Sequence, residues 1–260
     1  MTKENGLVVF RSELGEGHFS QRNNQLVWPS EKSKPKAQYR TSWKNMCNVT
    51  AYVNALAKAG YTFPAGEYNQ PEDNLGLFIL TNPEVMSKWK KQCPAQYDLF
   101  MKSLDGKLTE KQLNDMYFPT ELHDYLSFGA NKWIGTSASS FSTNHDFRML
   151  LWNSMVEDNL PLVLSTNFGG FGHIVCCTGV AYDENEFNNL KYVDKGTLTP
   201  KYIIVDDPWG KYNPDTNKYD APNGGNDIFI PWSRVVASVK PANSDKIKWA
   251  HTFKHGIATV

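Results

Sequence analysis

Four cysteines in 260 residues are too few for a disulfide framework, and they form no Cys-x-x-Cys pair. Cys47, Cys93, Cys176 and Cys177 therefore read as free thiols. An excess of either charge is missing too, since 27 basic residues meet 27 acidic ones with no long run of either sign. Such a chain offers no electrostatic footprint for nucleic acid or an anionic membrane. No stretch approaches the roughly 18 apolar residues of a membrane span, so membrane insertion is not expected. Near the N-terminus the only apolar run is Leu7 to Phe10, far shorter than a signal-peptide core. The expectation is a soluble protein without a signal peptide, made in the cytoplasm. Internal repeats and low-complexity linkers are also lacking, and one domain over 1–260 is expected.

What is present is an ordinary globular composition, 40% hydrophobic, with a change of character along the chain. The segment 29–39 (PSEKSKPKAQY) reads as an exposed loop. Met46, Val49, Val53 and Leu56 then recur at helical spacing, with Asn45 or Ser42 to cap the helix and Gly60 to stop it. The stretch 83–160 reads as mostly helical. Pro83 suits a first helical turn, and Thr109-Glu-Lys-Gln112 has the form of a capping box. Thr120 is placed to cap a short helix ending at Gly129, and Asn144 to cap another carrying Phe147, Leu150, Leu151 and Met155.

After Asn159, strands are expected at 162–166, 173–182, 201–207, 227–232 and 246–253. The polar insertion 184–200 reads as a long hairpin. A helix-rich part (41–160) followed by a strand-rich part (161–260), without helices alternating between strands, predicts an α+β fold with an antiparallel sheet.

Three places carry chemistry. GGFGHIVCCTG (169–179) sets His173 beside two cysteines. Zinc is disfavoured there, because a structural site needs four converging ligands and a strand turns His173 and Cys176 to opposite faces. Mid-strand in an apolar run, Cys176 and Cys177 read as small hydrophobes. A thiol becomes a nucleophile beside a helix N-terminus or an imidazolium. Cys47 stands in the opening turn of the 46–59 helix, though a packed helix-start cysteine fits that position as well. His173 follows Gly169, Gly170 and Gly172, which leave an imidazole accessible; a core histidine bonded to a carbonyl is the plainer alternative. IIVDDPWG (203–210) closes a strand with two carboxylates. Asp207 alternates with Val205 and Ile203, Asp206 with Ile204, and either serves turn chemistry or orients an imidazole. The Asp/Asn-rich loop 213–227 lacks the ligand spacing of an EF-hand and reads as a solvated turn.

Taken in order, FSQRNNQ (19–25), MCNVTAYVNAL (46–56), FGHIVCCTGVAYD (171–183) and IIVDDPWGKY (203–212) resemble the papain-fold cysteine peptidases related to the double-glycine-leader, bacteriocin-processing peptidases. DAPNGGNDIFIPWSRV (220–235) resembles the loop and aromatic strand of phage and bacterial cell-wall-associated members. The region 61–160 carries none of the family's motifs. The resemblance implies a papain-like domain with Cys47 as nucleophile, His173 as base and Asp207 as the orienting carboxylate. It also implies that Gln21 donates to the oxyanion hole beside the backbone N–H of Cys47. The 26-residue gap between Gln21 and Cys47 is long for the family, and Gln38 is the nearer alternative donor. In place of the family's Gly-Pro after the cysteine stand Asn48 and Val49.

The implied reaction is hydrolysis of a peptide or amide bond through a thioester, without metal or cofactor. The implied substrate is a peptide, above all a peptidoglycan stem peptide, cut at the cell wall after release. Acyl transfer on the same fold, or a non-catalytic binding protein built on it, are the alternatives.

Overall fold

The computed structural model describes residues 1–12, 17–26, 46–191, 195–238 and 246–256. The chain opens as a hairpin of β1 (Thr2–Glu4) and β2 (Leu7–Arg11). Asn5 and Gly6 both take positive φ, 49° and 76°, as the two central residues of the tight turn that matches strand twist. That Asn-Gly signal stands in the sequence, yet the first residues were not expected to be strands.

Helix α1 (Cys47–Lys58) follows, and its apolar stripe is only part of what it buries. Every residue from Asn48 to Ala57 is inaccessible, so the helix is wrapped on all sides. Its two buried asparagines are bonded inward. Asn54 accepts from Phe19 N at 2.7 Å and donates to Phe19 O at 3.0 Å, while Asn48 donates to the Thr120 carbonyl. The helix ends at Lys58, and Gly60 adopts φ +88°, the conformation expected of a helix stop. Asn45, Ser42 and the 29–39 segment lie outside the described residues.

Prolines open α2 (Pro71–Thr81), α3 (Pro83–Gln92) and α4 (Pro94–Leu104), where the missing N–H costs nothing. The capping box forms at the start of α5 (Glu110–Asp115): Gln112 N donates to Thr109 Oγ1 and Thr109 N to Gln112 Oε1. Helix α6 (His123–Trp133) runs straight through Gly129, which packs against Ile79 and does not end it. A larger correction follows at β3 (Ser139–Asp146), a strand where helix was expected. Asn144 lies within that strand, and Asp146 caps α7 (Phe147–Leu151), which continues as a π-helical turn over Trp152–Glu157. SSFSTNHD has almost no apolar alternation because β3 is an edge strand that, among the described residues, pairs only with β10 (Lys246–Phe253).

The remaining strands are β4 (Leu162–Thr166), β5 (His173–Asp183), β6 (Tyr202–Asp206), β7 (Lys211–Asn213), β8 (Lys218–Ala221) and β9 (Ile228–Pro231). Helix α8 (Glu184–Asn189), capped by Asp183, replaces the first part of the expected 184–200 hairpin, and α9 (Trp232–Ser238) follows β9. All strand pairings are antiparallel, as the order of elements predicts. The fold is therefore α+β.

Strand β5 is the spine of the main sheet. Its first half pairs with β4 and its second half with β2 along one edge, while β6 runs along the other. The changeover needs Gly179, since a Cβ there would come within 2.6 Å of the Phe10 carbonyl. The sheet is covered on both faces. On one side α1, α2, α3 and α6 bury Val49, Leu56, Leu75, Ile79 and Trp89. On the other, α7, the Trp152–Glu157 turn, α8 and α9 bury Leu151, Trp152, Phe187 and Val235. Cys176 belongs to the first layer and Cys177 to the second, the strand alternation expected of them.

Candidate active site

Four segments meet where β5 begins and β6 ends. The first is α1, with Cys47 as its first residue; Met46 at the N-cap makes no side-chain cap bond, and Val49 N donates to Asn48 Oδ1 at 2.8 Å. The partly exposed Cys47 thiol hydrogen-bonds to His173, the residue that opens β5. The imidazole is 3% exposed, and its Nε2–H donates to Asp207 Oδ1 at 2.7 Å, which leaves Nδ1 for the thiol. Asp207 lies just past β6 and is fully buried.

The protonation state of His173 follows from these partners. Burial alone drives an imidazolium towards deprotonation. The charge and hydrogen bond of Asp207 outweigh it, with a smaller contribution from Cys47, and the pKa rises to about 10. His173 is thus an imidazolium at neutral pH, bonded on both sides.

Asp207 is held as tightly as it holds. Trp209 N also donates to Oδ1 at 2.8 Å, and the Tyr219 hydroxyl donates to Oδ2 at 2.9 Å. Behind it, Asp207 N donates to the Gly225 carbonyl at 2.7 Å, and a side chain at position 225 would strike the Asp207 carbonyl. Strand alternation alone did not separate Asp206 from Asp207, and the family resemblance pointed to Asp207. Structurally they part: Asp206 turns away and accepts from Asp227 N at 3.0 Å. Burial raises its pKa to about 6, against the opposing pull of that bond.

The fourth segment is the 3-10 turn Gln21–Asn23, fastened to the turn after β6. Gln21 N and Ser20 Oγ both donate to the Pro208 carbonyl, at 3.0 and 3.2 Å. Arg22 Nε donates to Trp209 O at 2.8 Å, with its guanidinium 3.8 Å from the Trp209 ring centroid. Gln21, 1% exposed, lines a cavity of about 260 Å³ with Cys47, Phe171, Gly172, His173 and Trp209. The long interval between Gln21 and Cys47 thus does not separate them in space. Gln38 lies outside the described residues.

All four expected site residues, Cys47, His173, Asp207 and Gln21, therefore come together. Phe171, Trp209 and Tyr219 complete the surroundings, and sequence reasoning assigned them no place in the site. Trp209 and Phe171 adjoin motif residues, whereas Tyr219 comes from the β7–β8 hairpin and carries no local signal. The other thiols stay apart. Burial, with the Asp206 charge, pushes the Cys176 thiol well up, and burial takes Cys177 to about 12. Being on opposite faces of the sheet, they cannot converge with His173 on one ion. Among the described residues no three His, Cys, Asp or Glu side chains cluster as a metal site requires, and no helix is long and apolar enough to cross a membrane.

A second histidine cluster packs against Tyr52 of α1, whose ring is 5.0 Å from that of buried His251; its other histidine, His123, is half-buried. His123 Nδ1 and His251 Nε2 share a hydrogen bond of 3.0 Å, and His251 Nδ1 meets Ser127 Oγ at 3.0 Å. Tyr52 connects Ser127 to Ser139. Burial lowers His123 to about 4; His251 falls well below the usual histidine range through burial and the proximity of His123. Among the described residues no carboxylate bonds to either ring.

Compared with known proteins, the chain matches no protein-family model, no curated protein and no solved structure.

Proposed function

We propose that the chain is a papain-like cysteine peptidase that cleaves a peptide or amide bond with Cys47, His173 and Asp207. The observation that carries this reading is the bonded series Cys47, His173, Asp207 opening on a cavity that Gln21 also lines. A thiol at a helix start, a histidine at a strand start and a carboxylate at the end of the neighbouring strand also support the papain-like assignment.

In this mechanism the Cys47 proton resides on His173 Nδ1, and the thiolate attacks the carbonyl carbon of the substrate. Negative charge develops on the carbonyl oxygen, where the Gln21 amide and the backbone N–H of Cys47 receive it. One such donor is worth about 3–4 kcal/mol of barrier. Collapse breaks the C–N bond, and the leaving amine takes its proton from His173. Water, deprotonated by the now neutral His173, attacks the thioester, and Cys47 departs as thiolate while His173 keeps the proton. Asp207 stays ionised throughout and holds the ring in place.

The substrate class follows from the resemblance of 220–235 to cell-wall-associated members: a peptidoglycan stem peptide, cut by a phage lysin or a wall-remodelling enzyme. An amine in place of water turns the same thioester into an acyl-transfer product, and product analysis with added amine separates the two.

The deciding test is alkylation by iodoacetamide from pH 5 to 9 with the labelled cysteine mapped. Preferential labelling of Cys47 near pH 6, abolished in His173→Ala, is expected. Equal or faster labelling of Cys93 would falsify the triad and favour a binding protein on this scaffold.

A further inference from the structure

The catalytic reading uses Asp207 as an anchor without saying what fixes the anchor. Asp207 Oδ1 carries two donors, the His173 ring and the Trp209 amide, whereas Oδ2 carries one, the Tyr219 hydroxyl. The carboxylate plane is therefore set by protein groups on both oxygens. Tyr219 arrives from outside the main sheet, on β8 of the separate β7–β8 hairpin.

That hairpin is seated on the same loop that leads into His173. Asn217 Oδ1 accepts from Gly169 N at 3.2 Å and from the Tyr212 hydroxyl at 2.8 Å, and Tyr212 stacks on Phe168 at 4.5 Å between centroids. Arg234 Nε holds the same turn through the Pro214 carbonyl at 2.9 Å. The Tyr219 ring stands at 90° to the imidazole, 6.1 Å away, and stacks on Phe171 at 5.9 Å. One side chain thus touches the loop before His173, the imidazole edge and the far oxygen of Asp207.

We propose that Tyr219 is a positioning residue of the site, keeping the Asp207 carboxylate turned towards His173 Nε2 and extending the series to Tyr219, Asp207, His173 and Cys47. This rests on the peptidase reading above. Burial and the adjacent Asp207 charge both raise the phenol pKa, so the O–H remains a donor across the working pH range. Without it, Oδ2 loses its only donor among the described residues, the carboxylate is free to turn, and its support of the imidazolium weakens.

The test is Tyr219→Phe, which keeps the ring and removes one oxygen. NMR titration of the His173 ring in the full chain, assigned with His173→Gln, reads the coupling without needing activity. The His173 midpoint is expected to fall by about one pH unit, the worth of one hydrogen bond to a charged group. With a stem-peptide substrate kcat should fall about 10-fold at pH 8 while KM stays within about 2-fold. Asn217→Ala, which loosens the hairpin from the His173 loop, should shift the midpoint in the same direction and serves if Tyr219→Phe melts early. An unchanged or raised midpoint in both variants overturns the inference and leaves Tyr219 a packing residue. Failure of the parent reading shows separately, as wild-type Cys47 that alkylates no faster than Cys93.

Discussion

Two histidine clusters contact helix α1, and they are opposites in charge although His173 and His251 are both buried. His173 is bonded to a carboxylate and a thiol, and its pKa is raised to about 10. His251 is bonded to another histidine and a serine, and its pKa lies well below the usual range. Burial pulls both imidazoles in the same direction. What differs is the partner: an anion reverses the desolvation penalty, and a second imidazole adds to it. One helix thus carries a thiol beside a charged imidazole at its first residue and a neutral polar network around Tyr52.

The contrast breaks most sharply at the thiol. Cys47→Ala should reduce peptide-bond cleavage by at least about 1000-fold, measured as single-turnover release from stem peptides, because it removes the nucleophile from the unit. Asp207→Asn removes the anion that separates the clusters, and activity should drop by about 100-fold or more. Its stability signature is equally specific. A raised His173 pKa contributes stability that is fully present below the unfolded value near 6.5 and is lost as pH climbs towards 10. Urea melts of the wild type should therefore lose up to about 1.4 kcal/mol per pH unit across that window, and Asp207→Asn should lose this slope.

Gln21→Ala leaves both histidines intact and tests the oxyanion donor alone, with kcat down about 100-fold and the His173 titration unmoved.

Much of this was legible because the chemistry is written in short local strings. A cysteine opening a helix, a histidine after glycines and an Asp-Pro turn each specify their own backbone, and the spacing of apolar residues orders the strands around them. Three features escaped for different physical reasons. Strand β3 is an edge, so SSFSTNHD need bury little and shows no period-two pattern. Helix α8 is six residues of ENEFNN, whose only buried side chain is Phe187, and its Asp183 cap looks the same as a turn residue in sequence. Tyr219 reaches Asp207 through hairpin geometry, a tertiary fact with no periodicity to announce it. Alternation could not choose between Asp206 and Asp207; the Asp-Pro motif of the resemblance pointed to Asp207, the residue that bonds to His173.

The smallest effects probe the second cluster. Its histidines are depressed, so their proton linkage runs the other way: the unfolded chain binds protons that the folded one refuses, and stability falls as pH drops from about 6.5 towards 4. His251→Gln should remove at most about 1.4 kcal/mol per pH unit of that acid slope, read by urea melts between pH 4 and 6.5, and should leave cleavage at pH 8 unchanged.

The fastening of Gln21 and Ser20 to the Pro208 carbonyl has a consequence in time. A ribosome releases Cys47 with its helix 126 positions before His173, and the clamp on Gln21 appears only after position 208. At roughly 5–20 residues per second, the thiol waits on the order of ten seconds for an imidazole. During that interval the nascent chain holds a cysteine without its imidazole neighbour, and the proposed site is complete only when the last third of the protein folds back over the first.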